Sequence, residues 1–69
     1  MNIHESAEDY LEAILILKER LGLVRSIDIV HERGYSKPSV SIAMKRLREN
    51  GYIEMDPAGY ITLLPPGEA

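Results

Sequence analysis

The chain contains no cysteine. Disulfide bridges, thiolate zinc sites and cysteine nucleophiles are therefore excluded. No apolar run approaches the roughly 20 residues that a membrane helix requires. The opening residues, Met1-Asn2-Ile3-His4-Glu5, lack the basic start of a secretory signal, so the expectation is an intact N-terminus and a cytoplasmic protein. Internal repeats, Gly-rich phosphate loops and nucleophile–base pairings are also missing, and an enzyme is not expected. His4 stands near the N-terminus and His31 beside Glu32 and Arg33, where a surface position is the simpler reading.

What remains is a chain of 69 residues, 45% apolar and 28% charged, which is the balance of a folded domain. A chain this short buries only about 60% of its unfolded surface, so residues 1–69 form one small domain with an efficient core. The net charge of −3 speaks against a polyanionic partner, but its distribution speaks for one. The first 20 residues hold Glu5, Glu8, Asp9, Glu12 and Glu19 against Lys18 and Arg20. Residues 33–48 hold Arg33, Lys37, Lys45, Arg46 and Arg48 and no acid, and from 49 onward there is no base. A polyanion responds to the local field at contact, not to the sum.

Ser6-Ala7-Glu8-Asp9 predicts a helix start, with Ser6 as N-cap and Asp9 as the acid of a capping box. The helix runs to Leu21 and stops at Gly22. At about 100° per residue, Tyr10, Ile14, Leu17 and Leu21 form one stripe flanked by Leu11 and Ala13, which is the expected core face. Leu15 and Ile16 fall outside it, which predicts a face that packs on something beyond these residues. Val24-Arg25 reads as a short extended piece. Ser26 is the expected cap of a second helix from Ile27 to about Arg33, with Ile27 and Val30 inward. Gly34-Tyr35 makes a turn, and Ser36 caps a third helix in which Pro38 suits the first turn. That helix carries Val40, Ala43, Met44 and Leu47 on one face and ends near Asn50, with Gly51 as stop. Tyr52–Met55 and Tyr60–Leu63 flank the turn Asp56-Pro57-Ala58-Gly59 and predict a hairpin.

Three helices followed by a hairpin, mainly α with a small β element, is the order of a winged helix-turn-helix. Its recognition helix, residues 36–50, would lie in the major groove of double-stranded DNA. The outward side of that helix presents Ser39, Ser41, Ile42, Lys45 and Arg46. Serine hydroxyls near a helix start can donate to phosphates or base edges, Ile42 suits a thymine methyl, and the cations neutralise phosphates. The plainer reading is a solvated helix whose C-terminal bases merely complement the dipole. The hairpin carries Glu54 and Asp56 and no base, so it is read as mostly structural. Asp9 and Glu12 are spaced at i and i+3, about 60° apart around the helix, so both carboxylates can reach one hard cation such as Mn²⁺ or Fe²⁺. The alternative is a capping acid beside an ordinary surface acid.

The segments Glu8-Asp9-Tyr10-Leu11-Glu12, Val24-Arg25-Ser26-Ile27-Asp28-Ile29, Ser36-Lys37-Pro38-Ser39-Val40-Ser41 and Leu47-Arg48-Glu49-Asn50-Gly51-Tyr52-Ile53 carry a family resemblance. Together they resemble the N-terminal DNA-binding domain of the iron-dependent repressor family, the diphtheria toxin repressor type. The resemblance implies a metal-dependent, homodimeric transcriptional repressor on a palindromic operator. It implies DNA contacts from Ser36, Pro38, Ser39, Ser41 and Ile42, to which the charge pattern adds Lys37, Lys45 and Arg46. Asp9 and Glu12 match the two N-domain metal ligands of the manganese-type branch; the iron-type branch has a thioether at the first. The family continues into a metal-binding and dimerisation domain, whereas this chain ends at Ala69, so its metal site is expected to be incomplete and its dimer helices missing. Two other readings stay open: a winged helix for protein–protein contact, and a regulator that needs no metal.

Overall fold

A computed structural model describes residues 6–64. Its elements are α1 (Ala7–Leu21), α2 (Ser26–Arg33), α3 (Lys37–Glu49), β1 (Ile53–Met55) and β2 (Ile61–Leu63). The caps are local and mostly where side-chain chemistry predicts them. The Ser6 hydroxyl accepts from the Asp9 N–H at 3.2 Å, and Gly22 ends α1 at φ 84°. Ser36 does the same for α3, accepting from the Ser39 N–H at 3.2 Å, with Pro38 in the first turn where no N–H is needed.

α2 departs from expectation at its start. Its N-cap is Arg25, not Ser26, and the capping group comes from inside the first turn: the Asp28 carboxylate accepts from the Arg25 N–H at 2.9 Å. Ile29 is fully buried and Val30 packs half-buried against the core as expected, while Ile27 is 36% exposed. Ile27 sits in the first turn of an eight-residue helix, and the face that meets α1 and α3 begins two residues later. Gly34 then adopts the left-handed conformation (φ 70°, ψ 21°) that turns the chain into α3, and its N–H closes on the Val30 carbonyl at 2.8 Å.

The core is contributed by every element. Tyr10, Ala13, Ile14 and Leu17 come from α1, Ile29 from α2, Val40, Met44 and Leu47 from α3, and Ile53 and Ile61 from the strands. Tyr35, in the turn before α3, meets Tyr10 with ring centroids 5.1 Å apart and a tilt of 53°, tying that turn to α1. Leu21 does not join the core; it is 53% exposed. Periodicity sets the angle of a side chain around the axis but not how far along the axis its neighbours extend, and Leu21 stands on the last turn. Leu15 and Ile16 are exposed, as their angular positions predict.

β1 and β2 pair antiparallel with Ile53 opposite Leu63 and Met55 opposite Ile61, so the apolar residues share the inner face and Glu54 and Thr62 the outer. Asp56 organises the turn: its Oδ1 accepts from the Ala58 and Tyr60 N–H groups at 3.0 and 2.8 Å, and its carbonyl accepts from Gly59 at 2.8 Å. The extended piece before α2 lies beside β2, where the Val24 carbonyl accepts from the Ile61 N–H at 2.8 Å. The architecture is a winged helix-turn-helix: three helices with a hairpin against them. Among the described residues, no helix is long and apolar enough to cross a membrane.

Candidate nucleic-acid interface

The core-facing residues of α3 determine what its other side can offer. With Val40, Met44 and Leu47 buried, the opposite side displays Ser41, Ile42, Lys45 and Arg46, all exposed, with Ser39 half-buried at its edge. Lys37 and Pro38 are exposed on the first turn, next to Ser36. Ser36 and Ser39 form a pair at the helix start: the Ser36 hydroxyl donates to the Ser39 hydroxyl oxygen at 3.0 Å. Ile42 is 56% exposed, which removes that much apolar surface from the core for no internal gain. Ion pairs among the described residues join Arg20 to Glu32 and Arg33 to Glu12; Lys37, Lys45, Arg46 and Arg48 find no carboxylate there. The five-base segment thus has its field turned outward, with Arg33 alone satisfied internally.

Ile42 and Arg46 also border an open hollow of about 370 Å³ between α3 and the start of α1, lined on its other side by Ala7, Tyr10 and Tyr52. At the C-terminal end of α3, the Asn50 side-chain amide donates to the Arg46 carbonyl at 2.8 Å, which caps the helix below its basic face.

The wing differs from its reading in one respect. The hairpin itself has no base, but the Arg25 guanidinium lies over the Tyr60 ring at 5.2 Å from its centroid. A cation therefore stands at the wing, supplied by the segment between α1 and α2. The signal lay in Val24-Arg25 being extended: such a piece pairs with a strand edge and carries its neighbour's side chain along.

Asp9 and Glu12 occupy the same side of α1 one turn apart. Asp9 is half-buried, and the Glu12 side chain is 65% exposed with its Oε1 accepting from Arg33 Nη2 at 3.3 Å. Two carboxylates suit a hard divalent cation as part of a ligand set. Among the described residues, no group of three or more His, Asp or Glu residues is placed to hold a metal ion. His31 is exposed on α2, and His4 lies outside the described residues.

Comparison with known proteins adds an independent line. The family described as iron dependent repressor, N-terminal DNA binding domain, matches residues 2–61. The proteins named transcriptional regulator MntR from Salmonella typhimurium and Salmonella typhi are each 38% identical over 64 residues, covering 93% of this chain and 41% of their own length. The protein of the same name from Escherichia coli O157:H7 matches with the same identity and coverage. The chain thus spans about two fifths of the curated relatives it matches. No solved structure matches at the same level of significance. With the match running from before α1 to the first residue of β2, the chain belongs to the iron-dependent repressor family, in its N-terminal DNA-binding domain.

Proposed function

We propose that this chain is the DNA-binding part of a metal-dependent transcriptional repressor and that α3 enters the major groove of an operator. The observation that carries the reading is the outer face of α3, where exposed Ile42 stands beside Lys45 and Arg46, both unpaired among the described residues. In the groove, Ser39, Ser41 and Ile42 meet base edges and methyl groups, while Ser36, Lys37, Lys45 and Arg46 meet phosphates, with Pro38 setting the angle of the first turn. Arg25 adds a phosphate contact from the wing side. The relatives are named as transcriptional regulators, which supports a binding role instead of a catalytic one and a place in the cytoplasm with the chromosome.

In the longer protein, Asp9 and Glu12 supply two oxygen ligands to Mn²⁺ or Fe²⁺, and a C-terminal domain supplies the remaining ligands and the homodimer contact. A bound ion would be held by Asp9 and Glu12 on α1 and would offset the charge of their carboxylates. A homodimer presents two copies of α3 to a palindromic site, and linking them raises affinity far above that of one half-site.

The test is duplex binding by this chain as a function of salt. Lys45→Ala and Arg46→Ala are each expected to lower the slope of log affinity against log salt by about 1. A flat salt response, or binding unchanged in both variants, overturns the reading and leaves a protein-contact winged helix in its place.

A further inference from the structure

Two ion pairs join the outer side of α1 to α2, and they are built differently. Arg20 and Glu32 make a close contact. Arg33 reaches Glu12 through Nη2 alone, at 3.3 Å, at the long end of hydrogen bonding and without the two-pronged geometry that strengthens an arginine–carboxylate pair. Its Nε is buried with no acceptor, so the guanidinium is held partly by the packing of its stem. Arg33 is also the final residue of α2, directly before the Gly34-Tyr35 turn and the Ser36 cap of α3.

Resting on the reading of Asp9 and Glu12 as metal ligands, we infer that Arg33 occupies the cation's place at Glu12 and that a divalent ion must displace it. Arg33 meets one Glu12 oxygen, Oε1, so the guanidinium and a divalent ion draw on the charge of the same carboxylate. A dication seated between Asp9 and Glu12 is repelled by a guanidinium in contact with the same carboxylate, and Arg33 has the favourable dipole at the α2 C-terminus to retreat to. Arg33 therefore lowers the site's affinity, setting a threshold below which α1 stays tied to α2. Filling the site releases that tie at the point where α2 hands over to α3. The coupling is reciprocal: whatever steadies the released arrangement of α2 and α3 tightens the ion.

Paramagnetic broadening of amide signals by Mn²⁺ tests this directly, because it detects weak binding and reads position without any DNA. In the unaltered chain, Mn²⁺ is expected to broaden the signals around Asp9 and Glu12 first. Arg33→Met, which keeps the packed stem and removes the charge, is expected to lower the half-broadening concentration on the order of tenfold, an advantage that shrinks as salt is added. Arg33→Lys, which retains the charge, stays within a few-fold of the unaltered chain (roughly, since its reach differs) and serves as a folded control. Asp9→Asn and Glu12→Gln abolish the local broadening. Local broadening that appears only once Arg33 is replaced also supports the inference. If the acid variants lose broadening but Arg33→Met titrates like the unaltered chain, the displacement inference fails while the metal ligands stand. If the acid variants broaden as before, or no variant broadens locally, the ligand reading fails and the inference with it.

Discussion

On α1, Ile16 lies between Glu12 and Arg20, and both charges reach across to α2. On α3, Ile42 is followed by Lys45 and Arg46, and neither meets a carboxylate among the described residues. Both faces therefore mix an exposed branched residue with charge, but one spends its charge inside the molecule and the other leaves it for solvent. Exposed apolar residues are ordinary on any protein surface. What distinguishes the α3 face is the combination of an outward isoleucine with cations that no carboxylate neutralises among the described residues. Exposure of a branched residue alone would rank the two helices alike; charge sign and pairing separate them.

Four substitutions break or sharpen that contrast. The largest effect is expected inside α1. Ile14→Ala, at a fully buried position, should cost about 2–5 kcal/mol in urea unfolding, whereas Leu15→Ala, one residue away and 51% exposed, should stay within about 0.5 kcal/mol. A comparable cost for Leu15→Ala would mean that the outer face of α1 is part of the fold. Next, Ile42→Ala should weaken binding to a thymine-containing specific duplex by about 1 kcal/mol while leaving stability and non-specific binding nearly unchanged. Loss of stability instead would return Ile42 to a structural role. The smallest effect belongs to Arg20→Ala, which should cost no more than about 1 kcal/mol in unfolding, since the Arg20 side chain is 56% exposed. The salt slope of DNA binding should not move with it, and a shift there would show that α1 contributes to the interface.

Much of this arrangement was readable from the chain because its signals are local. Ser6, Ser36 and Gly22 act on groups within four residues, and the turn at Asp56 closes on itself. The outward set on α3 was readable for the same reason, since angle around a helix follows from spacing. Misjudged features depended on what lay further off. Ser26 as cap and Ile27 as inward give way to Asp28 capping from within and Ile29 taking the core. Leu21 has the right angle but stands 53% exposed on the last turn of α1. The contacts of Arg25 with Tyr60 and of Arg33 with Glu12 join residues that are adjacent only once the chain has folded, the second across 21 positions. Asp9 and Glu12 were legible as a pair, but the guanidinium sharing Glu12 was not.

The bond from the Val24 carbonyl to the Ile61 N–H has a consequence for how the molecule meets a ligand. A ribbon of two three-residue strands would fray in water if left alone. It is joined on its flank to the connector that leads into α2, and Ile53 and Ile61 are buried in the core, so the hairpin is tied to the helices at both places. Association then requires little fresh ordering of the backbone, so the entropy lost on docking falls mainly on long side chains such as Lys45 and Arg46.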